Sequence, residues 1–534
     1  MSRKAVALWR SARPARTPRR QLASAVPPPS VDITTLPNKI RVATESTPGH
    51  FSTVGLYIDA GSRYETPMTS GVSHFLDRMA FKSTTTRTDE QMASDIHSLG
   101  GQIMCSSARE SIMYQSSHAH KGTPLALSLI ADTILNPAFT PEELEAQQDA
   151  ASYEIREISS KPEMILPEVL HNVAYGNQGL GNPLLCPEER ILAMNDTILR
   201  HTLKEWYRPE RMVIAGAGMP HQELVELANK FFSSLKPLDH LPSSPSVTQQ
   251  LQQAHQSRLL NTSSANPQAA PHILNPNAPG VAKSLTRAAS YLFPQPSPSG
   301  SVPKSPTSTY TGGHRFIRDP TQELGHLYIA FEGVGINDDD VYTLAVMQVL
   351  LGGGGSFSAG GPGKGMYSRL YTHILNHYTQ IDHCASFHHI YNDSSLFGLF
   401  ASFLPAASGL SGGNTPAQIL PHLVHQLSLL MYSPVGEAEL SRARNQLNSS
   451  LMMALESRAV EVEDLGRQIL VHGRKIPVEE MTEKIDAVTP SDVKRVAARV
   501  FGPESGSKAT VVCMGHEDVG SWPEVFSKYG IAGA

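Results

Sequence analysis

The sequence has little of what marks several common protein classes. Its four cysteines, Cys105, Cys186, Cys384 and Cys513, are far apart and form no C-x-x-C pair, so buried, reduced thiols are expected rather than a disulfide framework. No run of about 18 apolar residues occurs, so no membrane span is predicted. With 534 residues, 40% of them hydrophobic and 17% charged, the chain is typical of a soluble protein with two or more folded domains.

Acidic residues are absent from the first 31 positions, which hold six arginines and Lys4. An Arg-rich, Ser-containing, acid-free start is typical of a mitochondrial transit peptide, and without an apolar core region a secretory signal is disfavoured. The alternative is a basic tail that binds nucleic acid. We expect residues 1–31 to be a transit peptide cleaved near Leu22–Ala23, and no nucleic-acid partner. Cleavage there removes seven positive charges from a chain of net charge −5, and the acidic remainder would attract cationic partners.

The same order of a predicted strand followed by a predicted helix occurs in both halves of the chain. "STVGLYIDAGS" reads as a strand and "GVSHFLDRMAFKS" as the helix after it; "ELGHLYIAFEGVG" and "DDDVYTLAVMQVLLGG" repeat that order later in the chain. The repetition predicts a duplicated α+β fold with domains at 32–241 and 310–534. Residues 242–309 are rich in Ser, Pro, Gln and Asn. Such a segment buries too little apolar surface to offset its ordering entropy, so a long disordered insertion is predicted.

The first predicted helix carries an incomplete metal-binding motif. Inverted zinc peptidases read H-x-x-E-H, in which two histidines bind zinc and the glutamate handles the proton. Here the same spacing gives His74, Asp77 and Arg78. A guanidinium has no lone pair to donate and its charge repels Zn²⁺. We therefore predict no catalytic residue and no metal here, and interpret the three side chains as a polar cluster that holds helices together.

The most distinctive stretch is "GGGGSFSAGGPGKGM", residues 352–366. Glycine permits positive φ and close approach of the backbone to a ligand. A nucleotide-binding loop is disfavoured, because the glycines and lysine do not match G-x-x-x-x-G-K-[ST]; a floppy surface loop and a flap that touches a bound peptide remain. The residues predicted to bind substrate here are Gly352, Gly353, Gly354, Gly355, Phe357, Gly360, Gly361, Gly363, Lys364, Gly365 and Met366.

Together with "GVSHFLDRMAFKST", "YTGG", "YTHILN" and residues 441–477, this loop resembles the pitrilysin-like metallopeptidase family, and within it the non-catalytic subunits of two-chain mitochondrial peptidases. The likeness covers roughly residues 32–240 and 310–530. It implies two homologous domains per chain, each a mainly antiparallel sheet covered by helices. Glu154 matches the family's distant third zinc ligand, whereas Gln147 stands where active members carry a further acid.

The resemblance also implies a function. The expected role is substrate recognition in the mitochondrial matrix: the chain would bind Arg-rich presequences and present them to a partner subunit that carries the zinc. Glu439, Glu463 and Asp464 match acids that hold basic presequences, although each could be a solvated helix charge. The alternative is a structural core subunit of the respiratory ubiquinol–cytochrome c reductase, which shares this fold. The glycine-rich loop favours the first role, because a structural subunit has no need of it.

Overall fold

A computed structural model describes residues 30–237, 308–355, 366–406 and 414–533. The predicted transit peptide except its last two residues, the predicted insertion up to residue 307, and loop residues 356–365 lie outside these ranges. No helix within them is both long enough and apolar enough to cross a membrane. All four cysteines are described as free thiols, three buried and Cys105 half-buried.

The first half forms a six-stranded sheet in the order β1-β2-β6-β3-β5-β4. Its strands are β1 Val31–Thr35, β2 Arg41–Glu45, β3 Phe51–Ile58, β4 Gln102–Ser107, β5 Ile112–Ala119 and β6 Met212–Ala217. Its helices are α1 Val72–Arg78, α2 Asp89–Leu99, α3 Thr123–Leu135, α4 Pro141–Ser159, α5 Pro162–Tyr175, α6 Asp196–Trp206 and α7 His221–Phe232. The β2–β6 pair is parallel and the other pairs are antiparallel.

The second half forms another six-stranded sheet, ordered β7-β12-β8-β11-β10-β9. Its strands are β7 Gly313–Arg318, β8 Gly325–Val334, β9 Gly353–Gly355, β10 Ile381–Ile390, β11 Ser394–Phe403 and β12 Ala509–Gly515. Its helices are α8 Asp340–Leu351, α9 Pro416–Tyr432, α10 Glu437–Leu455, α11 Arg458–His472, α12 Val478–Ala487, α13 Pro490–Phe501 and α14 Trp522–Lys528, with a π-helical turn at Tyr371–Leu375.

Five strands of each sheet correspond in order and direction. β2-β6-β3-β5-β4 matches β7-β12-β8-β11-β10, with one parallel pair at the same end of each series. β1 extends the first sheet at one edge, and β9 extends the second sheet at the opposite edge. This correspondence confirms the predicted duplicated α+β fold of mainly antiparallel sheets.

Each sheet is covered on one face by a helix from the other half of the chain. α5, from the first half, packs Leu166, Leu170 and Ala174 into an apolar cluster with strands β8, β11 and β12. α11, from the second half, packs Val462, Leu465 and Ile469 against strands β2, β3, β5 and β6. The spacing of these residues places each set on one helix face. The two halves are therefore interlocked by a reciprocal exchange of helices.

The ends of the predicted domains are shifted slightly in the structure. β1 begins at Val31, which pairs with Glu45, so the last residue assigned to the transit peptide already belongs to the first sheet. Ser308, assigned to the insertion, accepts a hydrogen bond from the Leu180 amide at 2.9 Å. The chain is thus packed onto the first half from Ser308 onwards.

Candidate functional site

Helix α1, which carries His74, Asp77 and Arg78, begins at a buried carboxylate. Glu65 accepts hydrogen bonds from the Gly71 amide at 2.7 Å, the Ser73 amide at 2.9 Å and the Ser73 hydroxyl at 2.6 Å. Burial raises the pKa of Glu65 to about 7, and these hydrogen bonds oppose the rise. Glu65 therefore satisfies free amides at the start of the helix. No motif in the sequence marks it, because the cap lies several residues before the helix.

His74 is buried and both of its ring nitrogens have partners. Its Nδ1 accepts a hydrogen bond from the Cys186 amide at 3.3 Å. Its Nε2 must then carry the proton of the neutral ring, and it donates to Glu154 Oε2 at 3.2 Å. A zinc-binding histidine needs a free lone pair directed at the metal, and here neither nitrogen offers one.

Arg78 occupies the place of the second histidine and completes the cluster. Its Nη1 donates to the same Glu154 Oε2 that accepts from His74. The hydrogen bond from His74 and the nearby charge of Arg78 lower the pKa of Glu154, while burial opposes the fall. The positive charge beside Glu154 is thus the Arg78 guanidinium, which is part of the chain itself. The contacts of His74, Arg78 and Glu154 therefore do not fit a zinc ion.

Asp77 occupies the position of the glutamate in the H-x-x-E-H motif. Its side chain is directed at β4, the edge strand of the first sheet. Its Oδ2 accepts from the Ser107 amide at 2.8 Å and the Ser107 hydroxyl at 3.2 Å. It therefore holds the end of β4. Gln147 is half-buried on α4, two helical turns before Glu154, and its neutral amide supplies no negative charge.

The first glycines of the glycine-rich stretch belong to the second sheet. Gly352 ends α8 with φ +59°, and Gly353–Gly355 form β9, paired with β10. A Cβ on Gly353 would lie 2.0 Å from the Cys384 carbonyl oxygen, so only glycine allows this pairing. Met366 is 37% exposed. Phe357, Gly360, Gly361, Gly363, Lys364 and Gly365 lie outside the described residues.

The three acids predicted to bind substrate all have basic partners within the chain. Glu439 on α10 pairs with Arg369, and Glu463 on α11 with Arg467 at 2.9 Å. Asp464, which is 2% exposed, accepts from Lys475 Nζ at 2.7 Å. Glu463 and Asp464 are adjacent on α11, whereas Glu439 lies on another helix.

Sequence reasoning missed the residues that surround Asp464. Lys475 Nζ also lies 3.6 Å from Glu45 Oε2 on β2, and buried Glu461 shares the same surroundings. This cluster joins the two halves, so no local pattern could have indicated it. An arginine of a presequence would have to displace Lys475 to reach Asp464 as it lies here.

Among the described residues, the His/Cys/acid group close enough to hold a metal lies elsewhere, in the second half. It consists of His314, Cys513 and Asp518. Asp518 Oδ1 already accepts hydrogen bonds there from the Val519 amide at 2.6 Å and the Cys513 thiol at 3.3 Å, and His314 Nε2 lies 2.9 Å from it. The group is a satisfied hydrogen-bonded cluster.

Comparisons with known proteins identify the family of the chain. The family model for the insulinase peptidases, family M16, matches residues 41–188, and that for the M16 inactive domain matches residues 194–447. The chain is 46% identical to the mitochondrial-processing peptidase subunit alpha of Neurospora crassa, over 88% of this chain and 83% of that one. Identity to the human subunit alpha is 34%, over 88% and 79% of the two chains.

Solved structures with the same fold are more distant in sequence. A chain of Complex III2 from Candida albicans superposes with a TM-score of 0.70 at 18% identity, covering 94% of this chain and all of that one. A protease from Helicobacter pylori gives a TM-score of 0.69 at 18% identity, covering 91% and 99%. At this identity the likeness concerns the fold alone.

Proposed function

Because the chain belongs to the insulinase (M16) peptidase family and is similar along most of its length to mitochondrial-processing peptidase α subunits, we propose that it is the non-catalytic, substrate-recognition subunit of a mitochondrial processing peptidase. Its partner would be the β subunit of that peptidase. The pair would act in the mitochondrial matrix, where the β subunit would hold the zinc ion and cleave imported precursors.

The observation that carries this proposal is the ion pair between Arg78 and Glu154. Catalytic zinc needs about three protein ligands and an open position for water. In this chain one ligand position is a guanidinium, and the carboxylate that matches another ligand is bound to it. A fold of this family with such a pair in place of zinc ligands is what we expect of a subunit whose partner performs the reaction.

The proposed substrates are the Arg-rich presequences of imported precursor proteins. The glycine-rich stretch from Gly352 to Met366 would contact them, with Phe357, Lys364 and Met366 adding side-chain contacts. Glu463 supports an electrostatic contribution, because its side chain is 19% exposed and a carboxylate pairs well with a guanidinium. Asp464 would reinforce the negative potential from its buried position.

The alternative function, a structural core subunit of the ubiquinol–cytochrome c reductase, has weaker support. The likeness to the Complex III2 chain is one of fold, at 18% identity. The relatives at 46% and 34% identity are processing-peptidase α subunits.

The proposal is tested by purifying this chain alone and together with a zinc-bearing β subunit. The chain alone should contain no stoichiometric zinc after dialysis and should cleave no presequence, whereas the pair should co-purify and cleave. One zinc per isolated chain, lost when His74 and Glu154 are replaced by alanine, would contradict the proposal. Asp77→Glu with Arg78→His is not expected to restore activity, since Gln147 and the groups that orient metal ligands also differ.

A further inference from the structure

The cluster of His314, Cys513 and Asp518 is assembled by the edge of the second sheet. His314 is on β7, Cys513 is on β12, and Asp518 lies in the connection from β12 to α14. β7 is the edge strand of this sheet and pairs with β12, where Val511 is opposite His314. One atom of each of the three side chains, of a kind that binds metals, lies within 4.8 Å of the other two.

The separations in this cluster are close to those around a tetrahedral metal ion. His314 Nε2 lies 2.9 Å from Asp518 Oδ1, and Cys513 Sγ lies 3.3 Å from the same oxygen. Around tetrahedral zinc the usual bond lengths place such a nitrogen and oxygen about 3.4 Å apart, and such a sulfur and oxygen about 3.6 Å apart. Outward movements of about 0.3–0.5 Å would therefore admit an ion.

The hydrogen bond between Cys513 and Asp518 is made by a proton that a metal ion can replace. Burial, and next the hydrogen bond to Asp518, raises the pKa of Cys513 to about 12, so the thiol on its own keeps its proton at neutral pH. A metal ion displaces the proton of a cysteine ligand when it binds. The thiolate and the carboxylate then balance the two charges of a divalent ion.

The histidine of this cluster differs from His74 in what it can offer to an ion. His74 is buried, and its Nδ1 accepts from the Cys186 amide, so its Nε2 must keep the proton. The side chain of His314 is 26% exposed, so its Nδ1 can carry the ring proton towards water. The lone pair of His314 Nε2 is then available, on the side where Asp518 lies.

We propose that His314, Cys513 and Asp518 bind an exchangeable divalent metal ion of the zinc type, with water as the fourth ligand. Sulfur, imidazole and carboxylate together are a ligand set that suits zinc. The side chain of Asp518 is 43% exposed, which leaves room for the water. Because the site has three protein ligands and the ion competes with a proton, dialysis removes the ion, and the isolated chain is then free of zinc.

The ion would fasten the connection into α14 to the paired strands β7 and β12. Val519, directly after Asp518, is buried, as are Trp522 and Phe526 of α14. The Val519 amide donates to Asp518 Oδ1 at 2.6 Å, so the backbone already orients the carboxylate. The ion would therefore stabilise the packing of the last helix without taking part in a reaction.

The test titrates Co²⁺ into the purified full-length chain after dialysis against a chelator. The wild type should bind one equivalent and develop the near-ultraviolet absorption of a cobalt–thiolate bond. Cys513→Ser keeps a hydroxyl that can donate to Asp518, and it should lack this absorption. His314→Gln should weaken binding by at least about tenfold, since even groups that only orient metal ligands contribute that much.

Two controls show whether the ion binds at this place. Cys105→Ser is the matched control, because Cys105 is a half-buried thiol beside Asp77 in the first half; it should keep the full absorption. His74→Ala with Glu154→Ala should keep it too. An ion lost in that double variant would instead contradict the proposed function, so the two failures are distinguishable.

A second measurement uses Zn²⁺ and stability. An ion that binds only the folded chain raises the urea midpoint, so excess Zn²⁺ should raise it for the wild type and not for His314→Gln. Cobalt bound without the thiolate absorption would be adventitious and would overturn the proposal, as would absorption that persists in Cys513→Ser. If Cys513→Ser does not fold, His314→Gln decides, and an unchanged affinity there overturns the proposal.

Discussion

At the scale of single residues, the cluster around Lys475 holds more negative than positive charge. Glu45, Glu461 and Asp464 surround this lysine, whose side chain is 9% exposed, and Arg458 adds a second positive charge near Glu461. Burial, and next the charge of Glu45, raises the pKa of Glu461 to about 7. Carboxylates without enough positive partners are costly to ionise in a buried site.

This cluster predicts a specific pH dependence of stability. The pKa of Glu461 is higher in the folded chain than the usual value of 4.5, so between these two values the folded state holds the proton more tightly. Stability from this group is therefore full below pH 4.5, falls as the pH rises towards 7, and levels off above. Glu461→Gln should remove that fall and raise the free energy of unfolding at pH 8 by about 1–3 kcal/mol.

Urea unfolding from pH 5 to 8.5 measures this effect. Glu463→Gln is the matched control, because Glu463 lies on the same helix and pairs with Arg467; it should leave the slope with pH unchanged. A Glu461→Gln variant with the same pH profile as the wild type would refute the assignment.

At the scale of elements, α11 packs closely against the first sheet. The Ala459 carbonyl accepts from Gln115 Nε2 at 2.8 Å, and the Ile469 carbonyl accepts from Arg41 Nη1 at 2.7 Å. Between these contacts Gly466 faces the buried ring of Tyr57: a Cβ at Gly466 would lie 2.1 Å from Tyr57 Cδ2. The helix approaches the sheet this closely because residue 466 has no side chain.

Gly466→Ala is therefore expected to have two opposite effects on stability. Alanine favours a helix over glycine by about 1 kcal/mol, whereas forcing a methyl group into a packed core costs about 1–3 kcal/mol. Because the buried Tyr57 ring is hydrogen-bonded to Gln115 at 3.1 Å, it cannot easily move, and we expect net destabilisation of about 1–2 kcal/mol. Thermal or urea unfolding measures it.

The comparison for this substitution is Gly436→Ala, where a Cβ meets nothing within 4 Å. Gly436 is the N-cap of α10, where alanine is less favourable than glycine, so that variant should lower stability by about 0.5–1 kcal/mol without a steric clash. Stabilisation by Gly466→Ala would mean that helix propensity outweighs the contact with Tyr57.

Local patterns in the sequence predicted elements well and contacts between halves poorly. Thr88 with Gln91 forms the cap that starts α2, and Gly100 ends it in the left-handed conformation; all three signals are local. The incomplete motif was readable for the same reason, since His74, Asp77 and Arg78 lie within one short stretch. Arg369 and Lys475 were not, because their partners are set by tertiary packing that no spacing in the sequence encodes.

At the scale of the whole molecule, polar contacts reinforce the exchange of α5 and α11. Arg63, fully buried, pairs with Glu110 of its own half and with Asp393 of the second half, where Nη1 lies 2.8 Å from Oδ1. Because Asp393 is 40% exposed, solvent screens this ion pair and its contribution is modest, up to about 1 kcal/mol. The halves are thus joined by apolar faces and by charge, independently of residues 242–307.

Cutting the connection between the halves should therefore leave them together. With a specific protease site placed within residues 242–307, the cut chain should elute from a size-exclusion column at the volume of the uncut chain. Leu465→Glu, which places a charge in the apolar contact of α11, is the control that should separate after cutting. Separation of the cut wild-type fragments without denaturant would show that the insertion holds the halves.

The exchange of helices also determines when, during synthesis, the first sheet can be covered. The first sheet is complete in sequence when β6 ends at Ala217, but α11, which covers one of its faces, begins only at Arg458. At ordinary rates of synthesis this interval lasts roughly 10–50 s. Until α11 is made, an apolar surface that includes Tyr57, Val213 and Ala215 lacks its cover, so we expect the unfinished chain to need a chaperone more than the finished protein does.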